Sequence, residues 1–168
     1  MAKISRTEAR EQLFGLMFEV EFQSGANPTE IYERSADNRE IPADAYIKKT
    51  FFGILSKCEV IDEVIEKYAT GWKSERLSRV ARSILRIAVY EILFDEDIHP
   101  NISISQAVGL AVKFGEDRAK QFVNGVLSGL FKDWEANGAD AVIAEAVAAI
   151  EAKSAPAQAL DTQDGQDA

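Results

Sequence analysis

Cysteine and histidine are almost missing from this chain: among 168 residues there is one of each, Cys58 and His99. A lone cysteine excludes an intramolecular disulfide framework. The pair is too few for a His/Cys zinc site and makes a Cys-His or Ser-His-Asp arrangement implausible. There is no Gly-x-x-x-x-Gly-Lys-Ser/Thr loop and no Gly-x-Gly-x-x-Gly, so the usual phosphate-cradling turns are missing. No apolar run approaches the roughly 20 residues that span a bilayer. The opening Met-Ala-Lys-Ile-Ser-Arg lacks the apolar stretch of a signal peptide. The acidic cluster Asp95-Glu96-Asp97 has no further oxygen ligands at defined spacing and reads as a solvated turn. The expectation is a non-enzymatic cytoplasmic protein with no cofactor and no metal.

Positive charge is also short. The formal net charge is −9, with 19 Lys+Arg against 28 Asp+Glu, which at first argues against nucleic acid. The distribution changes that reading. Residues 1–135 carry 18 basic and 22 acidic side chains, whereas residues 136–168 carry one lysine and six acids. More than half of the acidic excess therefore sits in the last fifth of the chain, and the remainder can hold a basic surface.

What is present is helical periodicity, with no hairpin signal. Ser5-x-x-Glu8 has capping-box spacing and predicts a helix from about Arg6 to Phe22. Pro28 suits the first turn of a short second helix to about Ala36. Apolar spacing predicts helices over Ala43–Lys57, Glu59–Thr70 and Arg76–Phe94. Ser103-x-x-Gln106 again has capping-box spacing, before Ala107 to Phe114. Another helix starts near Arg118. The pattern is all-α, about seven helices packed as bundles. Residues 1–135 form the helical domain. Residues 136–168 are read as an alanine-rich acidic extension, partly helical, with an extra helix over Asp140–Lys153, and then disordered.

Three segments concentrate cations. Lys3, Arg6 and Arg10 lead the first helix, with Arg6 and Arg10 on one face. They read equally as a phosphate-following arm and as a solvated helix start. Lys73 and Arg76 precede Arg79, Arg82 and Arg86, which fall within about 60° of one another on a helical wheel. This is a solvated face or a secondary basic surface for phosphate or an acidic partner. Around a turn, Lys113, Phe114, Arg118, Lys120, Gln121 and Phe122 mix cations with aromatics, a pattern able to stack single-stranded bases. At least one of the two phenylalanines is expected in the core.

These segments carry a family resemblance. Arg82 to Ile92, RSILRIAVYEI, resembles the R-x-I-L-R-x-A-x-Y-E signature of the NusB transcription antitermination family. Pro100 to Val108 resembles its P-x-x-V-x-I-N-E-A-V segment in looser form. Lys113-Phe114 followed by Phe122-Val-Asn-Gly-Val-Leu127 matches its K-F…F-V-N-G-V-L ending, and Ser5-Arg-x-x-Ala-Arg-Glu11 its start. Order and spacing agree from about Lys3 to Phe131. The resemblance implies two small helical bundles. It also implies binding to boxA RNA of ribosomal RNA leaders, together with ribosomal protein S10 (NusE), within the RNA polymerase antitermination complex. Carried over, the RNA-binding residues are Lys3, Arg6, Arg10, Lys113, Phe114, Arg118, Lys120, Phe122 and Asn124. Arg86 matches a family arginine that is either a contact or a helix-to-helix anchor.

The chain departs from the pattern at Ser105-Gln106, where the family usually has Asn-Glu, and at Ala81, where an acid is common. Both bear on how S10 docks. The alternative to an RNA adaptor is a protein-interaction bundle, such as a homodimer, with no direct RNA contact. NusB-like domains are also found fused to ribosomal RNA cytosine methyltransferases, but this chain is too short for such a catalytic domain.

Overall fold

A computed structural model describes residues 4–23, 25–39, 44–72 and 77–154. Among them are eight helices and no strands: α1 Arg6–Phe22, α2 Pro28–Arg39, α3 Ala45–Ser56, α4 Cys58–Ala69, α5 Arg79–Phe94, α6 Pro100–Phe114, α7 Ala119–Asn137 and α8 Ala139–Ser154. The all-α expectation holds, and α8 is the alanine-rich segment read as an extra helix.

Local chemistry sets the ends. At α1 the capping box is complete: the Glu8 N–H donates to Ser5 Oγ and the Ser5 N–H to Glu8 Oε2, both at 3.1 Å. Asp44 caps α3 by accepting the Ile47 N–H at 3.0 Å. Each such cap stabilises a helix by about 1 kcal/mol. α7 ends at Gly138, whose φ of +87° is costly for any residue with a Cβ and turns the chain into α8.

Two helix starts differ from the sequence reading by three residues or more. α5 begins at Arg79 rather than Arg76, because Ser78 caps it by accepting the Ala81 N–H at 3.0 Å. α6 begins at Pro100, not at Ser103. His99 is its N-cap, with Nδ1 accepting the Asn101 N–H at 3.1 Å, and Pro100 fills the first turn. Ser103 lies inside the helix, 2% exposed, and its hydroxyl is used elsewhere. α7 runs through residues 135 and 136, where the composition changes.

Helix α5 is the axis. Its Ile84, Leu85 and Val89 are fully buried. α1, α3, α4, α6, α7 and α8 all contact it, and α8 also lies against α4 and α7. Leu13, Phe51, Ile54, Ile61, Val123 and Leu127 complete one continuous core. Burying such a side chain stabilises the fold by about 1.5–3 kcal/mol. α8 is attached more lightly, through Val142 and Ala146 and the ion pairs Lys67–Glu145 and Lys153–Glu63, both 2.7 Å. None of the described helices is long and apolar enough to cross a membrane.

Candidate nucleic-acid interface

The junction of α6 and α7 carries Lys113, Phe114, Arg118 and Lys120 outward. The α6 N-terminus is fixed by its cap and its C-terminus by Phe14 of α1, on which the Phe114 ring stacks with centroids 4.8 Å apart. Phe114 remains 40% exposed. One ring is held and still presents surface, which is what stacking on a base requires. Lys113 is exposed, 5.5 Å from the Phe114 centroid, and pairs with Glu11 at 2.9 Å. Arg118, Lys120 and Asn124 are all exposed. A groove of about 580 Å³ adjoins the turn, lined by Phe114, Arg118 and Phe122 and by Ser78, Val80 and Ala81 from the start of α5. Glu116 and Asp117 also line it, so the surface is of mixed charge.

Phe122 does not share this exposure. It is 4% exposed and meets Trp72 edge-on, with centroids 5.6 Å apart, so it supports the turn from beneath and is not a free stacking face. Gly125 completes the arrangement, since a Cβ there would overlap the Trp72 indole. That contact gives a physical reason for glycine after Asn124.

The N-terminal cations separate. Lys3 lies outside the described residues. Arg6 is exposed, its guanidinium 4.3 Å from the Tyr46 ring centroid. Arg10 is 3% exposed, and the expectation that it reaches RNA is corrected. Its Nε and Nη2 donate to the two carboxylate oxygens of Glu91, each at 3.0 Å. Glu91, 1% exposed, also accepts from the Tyr46 hydroxyl and from Ser103 Oγ, the latter at 2.8 Å. One buried carboxylate thereby ties α1, α3, α5 and α6 together. Burial opposes the Arg10 charge, but the hydrogen bonds and charge of Glu91 outweigh it and raise the guanidinium pKa. Burial, then the Glu91 charge and bond, push the Tyr46 phenol well above its ordinary value.

The secondary basic face is also corrected in part. Arg86 Nε and Nη2 donate to Asp62 at 2.9 and 2.8 Å, and Nη1 to Glu21 at 2.9 Å. Arg82 pairs with the other oxygen of Glu21 at 2.6 Å. Both arginines are largely neutralised by α1 and α4, and Arg86 serves as a helix-to-helix anchor. Arg79 is exposed, 5.4 Å from the Phe22 centroid. Lys73 and Arg76 lie outside the described residues. The reading by residue type missed Glu91, Tyr46, Trp72 and Phe14. Only Glu91 had a sequence signal, as the last residue of the R-x-I-L-R-x-A-x-Y-E run.

This geometry defines a class: an all-helical scaffold with a small mixed basic and aromatic surface at one interhelical turn. Comparison with known proteins narrows it. The NusB family profile matches residues 7–132. The chain is 38% identical over 132 residues to the transcription antitermination protein NusB of Bacillus licheniformis, covering 79% of this chain and all of that protein. It superposes on T. maritima NusB with a TM-score of 0.68 at 32% identity, over 79% of this chain and 94% of that one. A NusB chain solved with NusE in complex with double-stranded RNA gives a TM-score of 0.66 at 29% identity, over 76% and 96% of the two chains. The chain belongs to the NusB family. Helix α8 lies beyond the matched residues.

Proposed function

We propose that the chain is a transcription antitermination adaptor that acts in the cytoplasm. It binds boxA RNA of ribosomal RNA leaders together with ribosomal protein S10 (NusE) and joins the RNA polymerase antitermination complex. It carries out no catalysis of its own. The observation that carries this reading is the α6–α7 turn, where Phe114 is stacked from behind and exposed in front, beside Lys113, Arg118 and Lys120. The relatives' names and the solved NusB–NusE–RNA complex support it.

In this reading Phe114 takes a base, Asn124 offers an amide for a base edge, and Arg118, Lys120 and Arg6 meet phosphates. Arg10 and Phe122 hold the surface in place. Ala81 lines the groove with a methyl group, so S10 docks here without a carboxylate at that position. A gel-shift titration of single-stranded boxA RNA, with and without S10, tests the proposal. A shift that S10 strengthens is expected. No shift under either condition would favour a protein-interaction bundle without RNA contact.

A further inference from the structure

Tyr46 lies in no motif, yet it separates the two arginines of α1 into different roles. It sits at the start of α3, 7% exposed. Burial fixes its ring, and the hydroxyl at its tip donates to Glu91, which Arg10 and Ser103 hold in turn. The Arg10 and Arg6 guanidinium carbons lie 5.5 and 4.3 Å from the ring centroid. Glu91 takes two Arg10 donors and cancels its charge. An aromatic ring does neither: a cation–π contact uses the face of the guanidinium and leaves its charge and in-plane N–H groups unspent. Among the described residues, that ring is the partner the structure gives the Arg6 guanidinium. It also offsets the unfavourable placement of a cation in the first turn of a helix.

We propose that Tyr46 is a positioning residue for RNA binding, its fixed ring holding the Arg6 guanidinium in place with its donors open to an RNA phosphate. The proposal rests on the RNA-binding reading above.

The test is a fluorescence-anisotropy titration of labelled single-stranded boxA RNA, with S10 at a fixed saturating concentration. It compares the unaltered protein with Arg6→Ala, Tyr46→Phe, Tyr46→Leu and the Arg6→Ala/Tyr46→Leu pair, each shown to be folded by circular dichroism. Tyr46→Leu is expected to weaken binding about 2–5-fold, the size of an exposed cation–π contact. Tyr46→Phe restores the ring and with it the affinity, although it loses the bond to Glu91. In the Arg6→Ala background, Tyr46→Leu has no further effect. Unaltered binding by Tyr46→Leu, equal losses for Phe and Leu, or a Leu loss that persists without Arg6 would each overturn the proposal. If Arg6→Ala binds normally, the positioning role falls and RNA binding stands. If the unaltered protein does not bind, both fall. Should Tyr46→Leu not fold, the ring-current shift of the Arg6 Nε–H decides: retained in the RNA complex it supports the proposal, and lost there it overturns it.

Discussion

Replacing Glu91 by glutamine probes the buried node on which both the fold and the placement of α1 depend. The two carboxylate oxygens accept from Arg10 Nε, Arg10 Nη2, the Tyr46 hydroxyl and the Ser103 hydroxyl. Glutamine keeps the shape and one of the two acceptors. Its NH2 must then face one edge of the Arg10 guanidinium. The hydroxyls of Tyr46 and Ser103 can rotate to accept, but an arginine N–H cannot. One donor is left unpaired and a buried positive charge loses its partner. Breaking a buried ion pair in this way costs about 3–5 kcal/mol, or roughly 10–15 °C in melting temperature for a chain of this size. Urea unfolding followed at 222 nm reads the loss. The triple change Arg10→Met, Tyr46→Phe, Glu91→Leu removes charge, counter-charge and hydroxyl together and is expected to recover most of it. A loss below about 1 kcal/mol for Glu91→Gln, or a loss that does not depend on Arg10, would refute the assignment of this network as a structural anchor.

Other consequences follow from single contacts. Because burial and Glu91 raise the Tyr46 phenol above its ordinary 10.0, the unfolded chain releases that proton first as pH rises. Stability is then full below pH 10 and falls above it, by up to about 1.4 kcal/mol per pH unit from this group; urea midpoints at pH 9 and 11 show the drop, and Tyr46→Phe removes its share. Gly125→Ala places a methyl against Trp72 and is expected to cost about 1–3 kcal/mol, read by thermal melting with loss of the native Trp fluorescence. His99→Ala removes the acceptor that caps α6 and should cost about 1 kcal/mol in the same melt. Arg118→Ala/Lys120→Ala should lower the slope of log affinity for single-stranded RNA against log salt by about 1.4, and an unchanged slope would remove these two side chains from the interface.

What the sequence disclosed and what it hid have separate physical causes. The α1 cap was legible because Ser5 and Glu8 bond to each other's backbone, and nothing distant is involved. The same spacing at Ser103-x-x-Gln106 was misleading, because His99-Pro100 had already started the helix and Ser103 turns inward to Glu91. Arg6 and Arg10 share a helix face, so periodicity could not separate them. Their fates depend on Tyr46 and Glu91, which lie 36 and 81 positions beyond Arg10 in the chain. Arg82 and Arg86 formed a basic stripe on a helical wheel, yet Glu21 and Asp62 come from other helices to neutralise it. The turn with Phe114 was recognisable by composition and by its likeness to the family. That Phe114 faces out while Phe122 lies under Trp72 required the packing of α1 and α7.

Under the proposed function this chain reads boxA RNA in partnership with S10. The most direct measurement is the dissociation constant of the chain–S10 pair for a boxA oligoribonucleotide against one of identical composition in scrambled order, at one salt concentration. Tighter binding to boxA is predicted, with the preference reduced by Phe114→Ala. Equal affinity for the two RNAs would contradict it.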